Sequence, residues 1–238
     1  MRTPEGPISA DLRLGRLDCL LDPAGALFIQ AERALVVADL HLEKGSSGAR
    51  RGALLPPYDT RDTLAMLARV IARLDPVTVI ALGDSFHDRT GSTRLGAREQ
   101  ADLTALQRGR DWIWISGNHD PDPPQGVGGE VALEIAIGDV SLRHEPARHE
   151  GPEIAGHLHP AGKVRWRGGA LRRRCFAADG RRCVMPAFGA YAGGLNVLDA
   201  AFRPYLAPED LTAYVLGAER VYRVRAPLLV GDEPRARR

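Results

Sequence analysis

Apolar residues recur along the chain with two periods, and these periods predict the order of the elements. A helix is predicted from Asp59 or Thr60 to about Leu74, because its apolar residues repeat on one helical face. A second helix is predicted at about 96–107. Short apolar runs predict four buried strands, at residues 26–30, 34–37, 77–82 and 112–116. The first half of the chain therefore predicts strands interleaved with helices.

After residue 118 the pattern changes to short strands without helices between them. These strands are predicted at residues 131–137, 140–144, 153–156, 164–166, 171–176 and 182–185, with 213–216 and 221–224 completing the sheets. A chain of 238 residues with 44% hydrophobic content can bury one large core, so we expect a single domain over 1–238. The ends, 1–10 and 227–238, are rich in Pro, Gly and Arg, and we expect them to be mobile.

Charge and cysteine content narrow the class of protein. The net charge of +2 gives no bulk argument for nucleic-acid binding. No run approaches membrane-spanning length and the N-terminus lacks the apolar core of a signal peptide, so we expect a cytoplasmic protein. Cys175 and Cys183 flank Asp179-Gly180, which predicts a two-residue hairpin turn. In that register the two sulfurs lie on opposite faces, so a disulfide is disfavoured.

Five short segments rich in carboxylate, amide and imidazole groups carry the candidate chemistry. They are Asp39-Leu40-His41, Gly83-Asp84, Gly117-Asn118-His119-Asp120, His144 and Gly156-His157-Leu158-His159. Most follow a predicted strand, and strands that end together in a sheet bring such residues to one edge. Each segment alone has an ordinary structural explanation, such as a turn or a hydrogen-bonded core histidine. Because five of the seven histidines fall within them, the combination predicts a dinuclear metal site.

The residue types predict how the ligands divide between two cations. Asp84 is the predicted bridge, because a bidentate carboxylate binds both ions while reducing their repulsion. The remaining ligands are predicted to be Asp39, His41 and His159 for one ion, and Asn118, His144 and His157 for the other. Without thiolates this set favours manganese or iron, with zinc as a third candidate, and argues weakly against calcium. Two such ions clamp a phosphate, lower the pKa of a shared water and stabilise charge during in-line displacement.

His119 follows the predicted ligand Asn118 and is free to approach the phosphate. We predict that it is catalytic, either by stabilising the transition state or by protonating the leaving oxygen.

In this order the five segments resemble the motifs of the calcineurin-like metallophosphoesterases, D-x-H, G-D, G-N-H-[DE], H and G-H-x-H. The resemblance covers residues 39–159. It implies a four-layer αββα fold, with two mixed sheets flanked by helices, and the same metal ligands. Residues 37–45, 83–88 and 186–196 are further similar to bacterial ligase-associated DNA-damage-response phosphoesterases. That finer resemblance implies a manganese-dependent DNA endonuclease associated with an ATP-dependent DNA ligase, a helicase and a nuclease-like partner.

One position departs from the phosphatase branch, in which an aspartate three residues beyond the bridging residue orients the catalytic histidine. Here that position is His87. The pattern Gly-Asp-x-Phe-His resembles the nuclease subunit of double-strand-break repair complexes, which implies that His87 contacts the scissile phosphate or positions the strand. The alternative is a histidine hydrogen-bonded near the ligands. The departure also removes the usual orienting aspartate, and Asp88 or Asp120 is the candidate to orient His119 in its place.

A basic segment bears on the substrate. Between residues 163 and 182 a single acid accompanies eight cations, namely Lys163, Arg165, Arg167, Arg172, Arg173, Arg174, Arg181 and Arg182. Trp166 lies among them and could stack on a base. The substrate-binding residues predicted from this pattern are Arg172, Arg173 and Arg174, with Arg50 and Arg51 added from the region after the first ligand motif. The alternative is a solvated, arginine-rich hairpin. The glycine-rich loop at 189–196 either lines the site or only turns the chain.

These observations favour a two-metal phosphodiesterase that hydrolyses DNA, an endonuclease in DNA repair acting on single-stranded or structured DNA. The alternative is a small-molecule phosphodiesterase or pyrophosphatase acting on cyclic or dinucleotides. The basic segment disfavours that alternative, because small substrates need few cations. A non-catalytic scaffold would have no need for a complete ligand set together with His119.

Overall fold

The computed structural model describes residues 8–50, 52, 58–122 and 124–232, which form two β-sheets with helices. The strands are β1 Ala10–Leu14, β2 Leu17–Leu21, β3 Leu27–Ile29, β4 Ala34–Val37, β5 Thr78–Leu82, β6 Asp111–Ile115, β7 Glu130–Ala132, β8 Glu134–Ile137, β9 Val140–Arg143, β10 Glu153–Ala155, β11 Pro160–Trp166, β12 Gly169–Ala178, β13 Arg182–Val184, β14 Leu195–Asn196, β15 Thr212–Leu216 and β16 Val221–Arg225. The α-helices in the same residues are α1 Lys44–Arg50, α2 Asp59–Leu74 and α3 Ala97–Gln107. Short 3-10 helices lie at Ser92–Arg94, Ala200–Phe202 and Ala226–Leu228.

The first sheet has seven strands in the order β1 to β7. Strands β1 to β4 are joined antiparallel, whereas β4, β5, β6 and β7 run parallel. The carboxyl ends of β4, β5 and β6 therefore meet at one edge. Helices α2 and α3 cover the outer face, where Leu67 and Ile71 pack with Leu35 and Trp112. Helix α2 ends because Asp75 adopts a left-handed conformation and Pro76 follows.

The second sheet runs β14-β11-β12-β13-β10-β9-β8, with β15 paired to β12 and β16 to β15. Strands β9, β10 and β13 are parallel, so the carboxyl ends of β9 and β10 lie at the same edge of the sheet. The faces of the two sheets enclose the main core, in which Val36 and Ile80 from the first sheet pack with Leu142, Ile154 and Phe176 from the second. The predicted sandwich of two mixed sheets is confirmed.

The outer face of the second sheet is covered differently from that of the first. Phe202 and Leu206 pack against Cys175 and Val215, and they belong to the segment 197–211 that contains a 3-10 helix. In the described residues this segment, rather than α-helices, forms the fourth layer of the αββα architecture. None of the helices in the same residues is long and apolar enough to cross a bilayer.

Two local predictions were wrong. The apolar run at 131–137 forms two strands, because the chain passes from one sheet to the other at Leu133, so that β7 pairs with β6 and β8 with β9. The turn between β12 and β13 is centred one residue later than predicted, since Ala178 lies opposite Cys183. The Asp179 carboxylate fixes this turn by accepting the backbone N–H of Arg182 at 2.8 Å.

The cysteine prediction nevertheless holds, because Cys175 and Cys183 lie in different core clusters and all three cysteines are free and buried. Residues 1–7 and 233–238, within the ends expected to be mobile, lie outside the described residues. Part of the remainder packs on the second sheet, where Leu229 forms a bridge with Val164.

Candidate metal centre

The backbone of the predicted ligands is held in an unusual conformation. Five of them have positive φ, namely Asp39 at 53°, His41 at 45°, Asp84 at 46°, His157 at 69° and His159 at 46°. The left-handed region costs a non-glycine residue about 1–3 kcal/mol when the surroundings enforce it. Here hydrogen bonds between the strand ends enforce it, since the His41 N–H donates to the Asp84 carbonyl at 2.9 Å and the Asp39 N–H to the Gly83 carbonyl at 3.2 Å.

The first cluster contains Asp39, His41 and His159, whose donor atoms lie within 4.8 Å of one another. His159 Nε2 lies 3.2 Å from Asp39 Oδ1 and 3.3 Å from His41 Nε2. Burial, reinforced by the neighbouring His159 and His87, lowers the pKa of His41 to about 2. Its ring is therefore neutral at physiological pH and can offer a lone pair.

The second cluster contains Asp84, His144 and His157. His144 Nε2 lies 3.4 Å from Asp84 Oδ1 and 3.3 Å from His157 Nδ1. Asn118 completes the group, because its Oδ1 lies 2.9 Å from His144 Nε2 and 3.0 Å from His157 Nδ1. The sequence-predicted division of ligands between two ions therefore corresponds to two groups of side chains in space.

The tautomer of His144 tests whether this second cluster suits a cation. His144 Nδ1 lies 2.9 Å from the Leu82 carbonyl oxygen, so this nitrogen donates to the carbonyl. Its Nε2 faces two oxygens, those of Asn118 and Asp84. Oxygens that converge with an imidazole nitrogen favour a divalent ion, and a backbone carbonyl that fixes the tautomer is the usual support of a ligating histidine. The oxygen and nitrogen donors suit manganese, iron or zinc.

The two clusters adjoin one another. His144 Nδ1 lies 3.9 Å from Asp39 Oδ1, and the His157 N–H donates to Asp39 Oδ2 at 3.0 Å. Asp84 belongs to the second cluster by its side chain and contacts the first through its carbonyl, which accepts the His41 N–H. Its role as a carboxylate bridge between two ions stays a prediction.

His119 lies at the open side of the clusters, with 41% of its side chain exposed. Its Nδ1 lies 3.0 Å from the His87 carbonyl oxygen, and its backbone N–H donates to Asp84 Oδ1 at 2.9 Å. The proton on Nδ1 is thus fixed, and Nε2, 3.9 Å from Asp84 Oδ2, faces the metal clusters. This is the arrangement that a proton donor or acceptor beside a bound phosphate requires.

Comparison with known proteins agrees with this geometry. A model of the family described as calcineurin-like phosphoesterase matches residues 32–165, which is more than half of the chain. The chain belongs to the calcineurin-like phosphoesterase family. Members of this family use divalent metals, so the protein is a metal-dependent hydrolase with two candidate metal sites.

Among solved structures, the nuclease MPE of Pseudomonas putida is similar, with 29% identity and a TM-score of 0.72 over 91% of this chain and 100% of that one. The phosphoesterase Yfce of E. coli has 13% identity and a TM-score of 0.41, covering 81% and 98% of the two chains. The protein AQ665 of Aquifex aeolicus has 18% identity and a TM-score of 0.39, covering 53% and 78%. The last two likenesses are too weak to carry an argument. No curated protein sequence matches.

In this phosphoesterase neither of the two aspartates considered for orienting His119 does so. Asp88 forms a two-pronged ion pair with Arg94 at 2.7 and 2.8 Å, which holds the pKa of that carboxyl well below its usual range. Asp120 Oδ2 accepts the Phe86 N–H at 2.9 Å, and burial raises the pKa of Asp120 to about 6. The His87 carbonyl takes the orienting position instead.

The His87 side chain lies against two residues of the site. Its Nδ1 lies 3.4 Å from Nδ1 of His41, and its ring stacks on that of His119 with centroids 5.3 Å apart. This geometry matches the alternative stated from the sequence, a histidine hydrogen-bonded near the ligands. Its contact with the scissile phosphate stays a prediction.

The predicted DNA-binding arginines differ from one another in the structure. The Arg174 guanidinium donates to the Ala187 and Phe188 carbonyls at 2.7 and 3.2 Å, and burial lowers its pKa, so Arg174 is a structural residue and not a surface contact. Arg172 donates to the Gly194 carbonyl at 2.6 Å, and Arg173 is exposed.

Two further arginines, Arg50 and Arg51, were predicted to contact DNA. Arg51 and the side chain of Arg50 lie outside the described residues.

The glycine-rich loop lines the site. The Phe188 N–H donates to the Ala38 carbonyl at 2.8 Å and the Gly189 N–H to the Asp39 carbonyl at 3.1 Å. The loop brings in a cation that the sequence-based prediction missed, because Lys44 Nζ donates to the Tyr191 carbonyl at 3.0 Å. The indications in the sequence were that Lys44 follows the ligand His41 by three residues and lies within the segment 37–45 that resembles the ligase-associated group.

Gly83 provides a test of how closely the second cluster is packed. A Cβ at this position would lie 2.5 Å from His144 Cγ, and φ is +69°. We expect Gly83→Ala to lower the free energy of unfolding by more than the roughly 1 kcal/mol that a left-handed alanine costs, and to weaken metal binding. Gly109→Ala is the matched control, because Gly109 has φ +72° with nothing within 4 Å of the new Cβ. If urea denaturation shows equal decreases in the free energy of unfolding for the two variants, the packing argument is contradicted.

Proposed function

We propose that the protein is a two-metal-dependent phosphodiesterase that hydrolyses DNA phosphodiester bonds as an endonuclease in DNA repair. The observation that carries the proposal is the position of His119, whose Nε2 faces two adjoining ligand clusters from the solvent side. The similarity to a protein described as a nuclease, over 91% of this chain, supports nucleic acid as the substrate.

The chemistry follows from the groups that surround the reacting phosphate. Two divalent ions, when bound, supply positive charge that holds the phosphate and lower the pKa of the attacking water. Asp39 and Asp84 offset the charge of those ions from buried positions. His119 holds its Nδ1 proton on the His87 carbonyl, so a second proton can reside only on Nε2, from which it is donated to the leaving oxygen.

Manganese is the metal we propose, because carboxylate, amide and imidazole ligands without thiolate suit it. The substrate we propose is single-stranded or structured DNA. A functional association with an ATP-dependent DNA ligase and a helicase rests on the resemblance of residues 37–45, 83–88 and 186–196 to the ligase-associated group.

The decisive experiment compares two substrates with the purified protein and manganese. Circular single-stranded DNA has no ends, so its conversion to linear product requires endonuclease action. Bis-para-nitrophenyl phosphate reports diester hydrolysis without a nucleic acid. Cleaved circles are the expected result. Turnover of the small diester without cleavage of circles would contradict the proposal and favour a phosphodiesterase for small molecules.

The exposed arginines of the β11–β12 hairpin provide a second test. In this test Arg172 and Arg173 are replaced with glutamine, while the structural Arg174 is kept. The slope of log affinity against log salt concentration on single-stranded DNA should become less steep by up to about 1.4, because binding through fewer phosphate contacts releases fewer counterions. The affinity should be measured by fluorescence anisotropy across salt concentrations. Arg223→Gln, in an exposed position on β16, is the control. An unchanged slope would leave the hairpin as a solvated surface.

A further inference from the structure

Tyr191 is an exposed aromatic residue, with 39% of its surface accessible. It lies in the glycine-rich loop two residues after Gly189, whose N–H is bonded to the carbonyl of the ligand Asp39. Two residues span at most about 7 Å, so the tyrosine backbone lies within that distance of Gly189. The ring is not part of the apolar core clusters formed by the described residues.

The loop around Tyr191 is anchored from several elements. Ala190 N–H donates to Thr63 Oγ1 of α2 at 3.1 Å, and the Tyr191 carbonyl accepts from Lys44 Nζ at 3.0 Å. On the other side Arg172 donates to the Gly194 carbonyl at 2.6 Å. An aromatic side chain on such an anchored loop loses little further freedom when it contacts a ligand, which makes it an effective stacking surface.

Lys44 gives this surface a charge of the sign that a phosphate requires. It is the residue at the start of α1, three positions after His41, and its ammonium joins α1 to the tyrosine loop. The ammonium of Lys44 and the backbone of Tyr191 therefore meet at one margin of the site.

We propose that Lys44 and Tyr191 form a nucleotide subsite in which Tyr191 stacks on an unpaired base adjoining the scissile phosphate and Lys44 contacts a phosphate oxygen. The inference rests on the proposed function and adds that the base next to the cleaved bond must be unstacked from its neighbours. Stacking on an aromatic side chain accepts any base, because each has a π-face. The subsite therefore selects single-stranded or distorted DNA without selecting its sequence.

Three small diesters with the same leaving group isolate the contribution of the base. They are the 5′- and 3′-para-nitrophenyl phosphates of thymidine and methyl para-nitrophenyl phosphate. The wild-type protein should hydrolyse one thymidine ester about 5-fold to 150-fold faster than the methyl ester, measured as kcat/KM, the range that one stacked base supplies. The thymidine ester with the higher kcat/KM shows on which side of the scissile bond the subsite lies.

Variants then separate the two contacts. Tyr191→Leu should remove the preference for the thymidine ester while leaving the methyl ester unchanged, and Tyr191→Phe should keep the preference. Lys44→Met should lower kcat/KM for the thymidine and methyl esters by similar factors, because both contain the phosphate. Tyr222→Leu on β16, at an exposed tyrosine 53% accessible, is the matched control and should change neither ester.

Binding without turnover gives an independent measurement. In the presence of EDTA, single-stranded DNA containing 2-aminopurine should lose fluorescence on the wild type and on Tyr191→Phe, but less on Tyr191→Leu. If the wild type cleaves circular DNA and Tyr191→Leu retains the full thymidine preference, the subsite is overturned and the nuclease function stands. If the wild type cleaves no DNA and shows no thymidine preference, the proposed function itself fails.

Discussion

Asp84→Ala should leave the protein folded but unable to retain two metal ions. The Asp84 carboxylate is buried, lies 3.4 Å from His144 Nε2 and accepts the His119 N–H, so its removal takes a ligand from the second cluster and the predicted bridge from between the ions. Removing a group that only orients a metal ligand typically lowers metal affinity by about 10-fold to 100-fold. Removing a ligand itself should therefore lower the affinity by more than about 100-fold. Elemental analysis after gel filtration should find at most one ion per chain.

Asp22→Ala is the matched control for that variant. Asp22 is also a buried aspartate, 1% exposed, but it pairs with Arg73. Its loss should lower stability without changing metal content. Two tightly bound ions in an active Asp84→Ala protein would show that the predicted bridge is wrong.

His119→Ala should keep both ions and lose about two to four orders of magnitude in the rate of DNA cleavage, the usual contribution of a positioned acid or base. The size of the loss should depend on the leaving group. Para-nitrophenolate departs without a proton, so a para-nitrophenyl ester should lose much less than DNA, whose leaving alkoxide needs one. Comparing kcat for both substrates on metal-loaded protein measures this difference.

The alternative role of His119 gives a different result in the same experiment. If the ring stabilises charge on the phosphoryl oxygens, both substrates should slow by similar factors. His149→Ala is the control histidine, since His149 pairs with Glu153 outside the clusters and its loss should leave both rates near wild type. Near-wild-type DNA cleavage by His119→Ala would exclude both roles.

The sequence predicted which of these side chains meet, because each follows a strand and parallel strands such as β4, β5 and β6 carry their ends to one edge whatever their exact register. It predicted α2 for a similar reason, since sixteen residues of helical periodicity leave little ambiguity. Helix α1 was missed because Lys44–Arg50 has almost no apolar residue to give a period.

Other features depend on contacts that no local pattern encodes. Strands β1 and β2 are an exception, because they do alternate, with Leu12 and Leu14 buried and Gly15 in the turn, and the prediction overlooked them. The charge of Arg174 predicted a surface contact, whereas tertiary packing turns its guanidinium to backbone carbonyls. Lys44 and Tyr191 meet across 147 residues, so only the fold brings them together.

The left-handed backbone conformation of the predicted ligand residues has a consequence for the evolution and engineering of this protein. Glycine adopts a positive φ without the steric cost that each of these residues bears, but it has no ligand atom, so the backbone conformation and the chemistry favour different residues at the same positions. A selection for thermostability that ignores activity would therefore favour glycine at positions such as His41 and His159. Bound cations offset this tendency, because they stabilise only the folded chain that keeps the ligands.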